Sequence, residues 1–272
     1  MKKVIFITET SSGFGKEIAR LLAEKGHVVY GTVRNELVSD PETSGVHQLK
    51  MDLTDSDSIK KAVATVMASE GRIDVLINNA GMHTGGPIET SLIENIKLQI
   101  NTNVIGTIEL TREVLPIMRK QGGGTILNFS SIGGLMGLPF QGFYSTSKFA
   151  IEGFSEALRM EVKQFNIKVV LINPGDFHTS NTANRRNFLA PTGKDDPYRE
   201  QYEKSMAAIE KDEANGWKPE VLARKIVKIV ECKNPHQRYI ISSFEQKLAV
   251  GLKYILPGKL FRTILQDHYK IK

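Results

Sequence analysis

Cysteine is almost absent. Cys232 is the only one in 272 residues, so no disulfide can close within the chain and no cysteine cluster can hold a metal. The histidines do not make up for it: His27, His47, His83, His178, His236 and His268 show no metal-ligand spacing. Long apolar runs are missing too. No stretch approaches the ~20 apolar residues of a membrane helix. The Lys2-Lys3 start is followed by an apolar run, Val4 to Ile7, that is too short for a signal peptide and soon meets Glu9. The expectation is a cytoplasmic protein. Nor is charge of one sign concentrated. The formal charge of +6 comes from 36 basic and 30 acidic residues, and the basic residues are scattered pairs such as Lys60-Lys61. Nucleic acid is therefore not an expected partner.

What is present is a regular alternation. Val4 to Ile7 is a short apolar run, then come a turn from Thr8 to Gly15, a helical pattern from Lys16 to Glu24, and a second apolar run at Val28 to Tyr30. That is a strand–helix–strand unit. Further strands are predicted at Gln48 to Met51, Val75 to Ile77, Thr125 to Phe129, Lys168 to Ile172 and Arg238 to Ile241. Thr54 is predicted to start the helix that covers Ile59 to Ser69, in a near capping box with Asp57. A long helical segment, Ser91 to Met118, is expected to be interrupted. Most of the seven strands are separated by helices, which predicts an α/β fold with a doubly wound parallel sheet of the Rossmann type in one domain. Residues 176–216 break the rhythm and are expected to form a substrate lid. Residues 244–269 read as a helical tail broken at Pro257-Gly258.

Tyr144 and Lys148 stand four residues apart on a predicted amphipathic helix, so they share one face. An ammonium beside a phenol favours the phenolate and lowers the tyrosine pKa from about 10. The pair suits proton exchange between a ketone and an alcohol. Taken alone, such a pair is common on solvated helix faces. Ser131 read alone caps a loop turn, and Asn103 read alone is a buried polar residue bonding backbone.

The motifs gain weight in order. Thr8 to Gly15 reads TETSSGFG, residues 78–81 read NNAG, Asn103 opens NVIG, Ser131 lies thirteen residues before Tyr144, Tyr144 opens YSTSK, and Asn173-Pro174-Gly175 is followed by Thr179. Together they resemble the classical short-chain dehydrogenase/reductase family over nearly the whole chain. Residues 110–179 are most similar to bacterial members related to hydroxysteroid and retinol type dehydrogenases. The resemblance implies that Tyr144 exchanges the proton at the substrate oxygen, and that Lys148 lowers its pKa and holds the nicotinamide ribose. Ser131 would steady the developing charge, and Asn103 would position a relay water. It implies a cofactor held by Thr8, Ser11, Ser12, Gly13, Phe14 and Gly15 at the glycine turn. Asp52 would meet the adenine, with Leu53 beside it. Asn79, Ala80 and Gly81 would line the next strand end, where Asn78 shapes the sheet edge. Pro174, Gly175 and Thr179 would meet the nicotinamide.

Many NAD-using members carry an acidic residue at the end of the second strand. Here that position is Val33, and Arg34 follows. An arginine can pair with a 2′-phosphate that a carboxylate would repel, so NADP is expected over NAD. One position departs from the pattern: Glu9 stands where the family has glycine. Two readings are favoured here, a side chain that points outward at little cost and one that weakens the nucleotide's hold. In the third, nucleotide binding is lost and the fold serves another role.

The expected function is an NADP-dependent ketone or aldehyde reductase, or alcohol dehydrogenase. Ile132, Leu135, Met136, Leu138, Phe140 and Phe143, with Met82, His83, Phe177 and the tail, predict an apolar pocket for a small-molecule carbonyl or alcohol. The alternatives are a non-catalytic sensor or interaction protein, and an epimerase or dehydratase, which the length and YSTSK fit less well. The family implies a homodimer or homotetramer.

Overall fold

A computed structural model describes residues 1–34, 45–178, 186–187 and 196–271. The expected α/β architecture is present. Seven parallel strands form one sheet: β1 (Val4–Ile7), β2 (Val28–Val33), β3 (Val46–Lys50), β4 (Val75–Asn78), β6 (Gly124–Phe129), β7 (Ile167–Pro174) and β9 (Arg238–Ile241). Their order across the sheet is β3-β2-β1-β4-β6-β7-β9. The chain starts in the middle, winds outward to β3, then crosses back to β4 and winds the other way. The crevice beside β1 and β4 is thus the topological switch point, where ligands of such sheets bind. Unforeseen in the sequence, two-residue strands β5 (Thr84–Gly85) and β8 (Arg186–Asn187) pair in parallel outside the sheet. Each is too short to carry an apolar period.

Alternation along β1 serves both layers. Ile5 and Ile7 face one core with α1 (Gly13–Glu24) and α7 (Pro219–Glu231), where Ile18, Leu22, Leu222 and Ile226 are fully buried. Val4 and Phe6 face the other, against α2 (Ser56–Glu70), α4 (Gly106–Lys120) and α5 (Gly142–Glu161). Strands covered on both faces read as continuous apolar runs, which is why they were visible. The start of α2 is one residue off expectation. Asp55, not Thr54, is the N-cap and accepts from the amides of Asp57 and Ser58.

The expected interruption of the long helix is a π turn, Asn101–Ile105, between α3 (Ile93–Ile100) and α4. Beyond β7, α6 (Arg199–Ala214) lies within the segment expected as a lid. The tail forms α8 (Phe244–Ile255) and α9 (Gly258–His268), split at Pro257. Both pack onto the loop after β6, where Val250 and Phe261 meet Leu135 and Met136. Among the described residues no helix is long and apolar enough to cross a membrane, and no group of His, Cys, Asp and Glu could hold a metal.

Candidate active site

Parallel strands put all their C-terminal ends on one edge, and the motifs follow those ends. After β1 the glycine turn leads into α1. Ser12 is its N-cap but makes no side-chain cap, and the first turn has no acidic residue. The first amides of the helix are thereby left for an anion. Gly15 admits no side chain, because a Cβ there would lie 1.8 Å from the Glu9 carbonyl oxygen. Gly13 sits at φ +57 with open space around it, a conformation suited to glycine.

Glu9 does not point outward. Its backbone has φ +60, and its carboxylate turns into the cleft to accept from the Gly81 amide at 3.0 Å. Burial pushes its pKa up, opposed by the Gly81 amide and by the charges of Arg34 and Lys148. Thr8 lies behind the cleft. Its hydroxyl accepts from the amides of Asn79 and Ala80, bracing the NNAG turn against β1. Asn78 lies below, its side-chain amide donating to Thr111 and Asn128.

Tyr144 and Lys148 stand on the first turns of α5, as the spacing required. Lys148 is buried. Its Nζ donates to the Phe129 carbonyl at 3.0 Å and lies 5.7 Å from the centre of the Tyr144 ring. Desolvation brings its pKa down to about 8, with Glu9 and Glu152 holding it up in part. Ser131 caps the short turn Ile132–Gly134, its Oγ accepting from Gly133 at 3.0 Å. A hydroxyl that accepts still has its own proton to donate. Ser131 and Tyr144 flank Gly133, where a Cβ would meet the Tyr144 ring at 3.4 Å and Ser131 Oγ at 3.5 Å.

Asn103 comes from the π turn. Its amide grips Met82, accepting from its N–H and donating to its carbonyl, both at 2.8 Å, and donates to Ser147 Oγ at 3.1 Å. Both amide protons are used, so its side chain can meet a water only as an acceptor. The buried-brace reading of Asn103 and the turn-capping reading of Ser131 describe real contacts beside any chemical role.

One cleft of about 160 Å³ gathers Ser12, Gly13, Phe14, Asn79 and Gly81 with Ser131, Tyr144, Lys148, Pro174 and Gly175. Other expected residues sit elsewhere. Ser11 and Arg34 are exposed at the rim side of β1 and β2. The Asp52 carboxylate accepts from the Thr54 amide and hydroxyl, both at 2.8 Å. Leu53 is buried under Gly106. Thr179 lies outside the described residues. The expected apolar lining is divided: Ile132, Leu138 and Phe177 face the cleft, whereas Leu135 and Met136 anchor the tail and Phe140 packs on Tyr202.

Several site features carried no local sequence signal. His83 was expected at the pocket and lines it, but its stacking on Tyr144, with ring centres 4.0 Å apart, was not foreseen. Asp176, Asp212 and Glu213 give one wall of the cleft an acidic character. Burial, then repulsion from Asp212 and Glu213, raises the Asp176 pKa to about 6. Glu152 lies 2.5 Å from Arg238 and accepts from Asn173 at 2.6 Å, while Asn173 also donates to the Ser131 carbonyl. These partners are distant in sequence, and only the fold unites them.

A crevice at the switch point, a helix start open to phosphate and a Ser–Tyr–Lys cluster define an oxidoreductase that works with a dinucleotide. The glycine turn, the open start of α1 and the Ser–Tyr–Lys cluster fit that group, and the Glu9 carboxylate turned into the cleft does not. The sequence pattern of the short chain dehydrogenases matches residues 3–190, and the chain belongs to that family. It is an NAD(P)(H)-dependent oxidoreductase acting on carbonyl and alcohol groups. It is 46% identical over 270 residues to a 3-ketodihydrosphingosine reductase of Bacteroides thetaiotaomicron, covering 99% of both chains. It is 30% identical over 274 residues to an NADPH-dependent 3-dehydrocapnine reductase of Ornithobacterium rhinotracheale, covering 97% of this chain and 96% of that one. A short-chain dehydrogenase structure from Streptomyces avermitilis superposes with a TM-score of 0.78 at 27% identity, over 99% and 97% of the two chains.

Proposed function

We propose that the enzyme uses NADPH to reduce the ketone of a long-chain amino ketone of the 3-ketosphingoid type. The carrying observation is a coincidence in one cleft. Beside Tyr144 it holds apolar side chains, Ile132, Leu138 and Ile209, and an acidic wall of Asp176, Asp212 and Glu213. An alkyl chain suits the first and a protonated amine the second. The two curated relatives above are named for ketones of this kind.

In this reading Tyr144 gives its proton to the ketone oxygen, and Ser131 donates a hydrogen bond to the same oxygen as negative charge grows there. Lys148, held by the Phe129 carbonyl, keeps a positive charge beside the phenol. The nicotinamide, when bound, supplies the hydride. Arg34 pairs with the 2′-phosphate, which favours NADP, and the NADPH named for the 3-dehydrocapnine reductase supports that choice. Of the segment expected as a lid, α6 brings Ile209, Asp212 and Glu213 to the cleft, while residues 179–185 and 188–195 lie outside the described residues; the chain works in the cytoplasm as a homo-oligomer.

The test is NADPH oxidation with 3-ketodihydrosphingosine. Turnover is expected, with NADH poorer, and Tyr144→Phe should lower kcat by roughly 100-fold or more. Turnover of simple ketones but not of the amino ketone would overturn the substrate assignment.

A further inference from the structure

The C-terminal helices carry an outer face that the cleft does not use. On α8, Phe244, Leu248, Gly251 and Ile255 follow one another at helical spacing and share a face. Phe244 is 79% exposed and Ile255 78%. On α9, Leu260 and Ile264 repeat the pattern and are also exposed. Both helices bury their opposite faces in one cluster with Ile132, Leu135, Met136 and Leu138. Their apolar outer rows therefore look away from the same core. Residues 244–271 hold five basic residues and two acidic ones. Lys247, Lys259 and Arg262 are exposed alongside the apolar rows.

We propose that this face docks the enzyme on an anionic lipid bilayer surface. Apolar rows flanked by cations are what lets a helix lie in a membrane interface, and each cation near an anionic leaflet adds to the hold. A second copy of the chain is the other possible occupant. It would bring its own surplus of cations against this one, whereas an anionic surface neutralises them. The placement suits the substrate. The same helices press on the loop that carries Ser131, and Tyr269 at the tail's end lines the cleft. A lipid could thus pass from bilayer to cleft beside the docked face. The inference takes from the proposed reading only that the substrate is a lipid.

Flotation with phosphatidylglycerol/phosphatidylcholine vesicles tests it, with pure phosphatidylcholine vesicles in parallel. The full chain is expected to float with the anionic vesicles and to be released by salt. Lys247→Gln/Lys259→Gln/Arg262→Gln should weaken vesicle binding by roughly 100-fold. Leu248→Ser/Ile255→Ser should weaken it comparably, and both variants should keep the parent's melting curve, since every altered side chain is exposed. No association with either vesicle overturns the proposal. So does binding unchanged by both variants, or a dimer that Leu248→Ser/Ile255→Ser turns into a monomer without loss of vesicle binding. Vesicle binding without turnover of the amino ketone would support the docking face and remove only the substrate assignment.

Discussion

Glu9→Gly removes a side chain, a negative charge and a strained backbone residue from the cleft at once. The backbone part nearly cancels in stability. Relief of the left-handed conformation gains about 1 kcal/mol, and the added freedom of glycine in the unfolded chain costs about as much. Affinity is the discriminating quantity. A carboxylate and a phosphate charge ~8 Å apart repel by about 2 kcal/mol at an effective dielectric of ~20. Arg34 and Lys148 already act on Glu9 and screen part of this. The remainder, about 1–2 kcal/mol, predicts that Glu9→Gly binds NADP⁺ roughly 5- to 30-fold more tightly. Glu9→Gln keeps an acceptor for the Gly81 amide and should gain most of the same factor. Burial raises the Glu9 pKa, so falling pH neutralises it early. The parent's handicap against Glu9→Gln should therefore be largest near pH 8 and shrink toward pH 5. Calorimetric titration at both pH values measures this. Equal affinities of parent and both variants at each pH would refute the argument, and failure of all three to bind would revive the reading of a fold repurposed without nucleotide.

Arg34→Glu should raise the Kd for NADP⁺ by roughly 10- to 100-fold while leaving NAD⁺ within a few-fold; parallel titrations decide it, and equal losses for both nucleotides would count against a 2′-phosphate contact. Lys148 is held down to about 8 by burial, so its ammonium is lost above that pH, and kcat for reduction should fall as pH rises through about 8 in a stopped-flow pH series. Asp176, raised to about 6 from 3.8, resists ionisation in the folded chain. Its penalty appears as pH rises above about 4, is complete above about 6, and amounts to at most about 3 kcal/mol. Asp176→Asn keeps an acceptor for Gln246, so denaturant melts should show it more stable than the parent at pH 7.5 and no more stable near pH 4. The same variant should raise KM for the amino ketone and not for a neutral one. Arg238→Met strands the buried Glu152 carboxylate and should destabilise by about 3 kcal/mol in the same melts.

The sheet was legible because its strands are covered on both faces and read as unbroken apolar runs between helices. Tyr144 and Lys148 were legible because helical spacing alone puts them on one face. Thr54 misled because Asp55, one residue on, offers an equally good cap and is better placed to reach two amides. Glu9 misled for a different reason: a charged side chain is expected to seek water, but here a backbone amide and two nearby cations draw it inward. Asp52 was assigned to the adenine from the resemblance alone; what the fold adds is that its Oδ1 also starts a turn by accepting from Thr54. The Glu152–Arg238–Asn173 group and the acidic wall depend on which helix crosses which strand end, and no local pattern encodes that.

The strand order also sets a timetable. β1 is made before both of its neighbours in the sheet, β2 and β4. During synthesis it can pair with β2 at once, yet its other edge stays open until Val75–Asn78 has left the ribosome. For that interval the chain shows an unpaired strand edge, the free backbone N–H and C=O groups of Ile5 to Ile7, the kind of surface that recruits chaperones or other nascent chains. The residue at the head of the glycine turn follows directly on that edge, so substitutions at Glu9 should be judged by yield of soluble protein as well as by affinity.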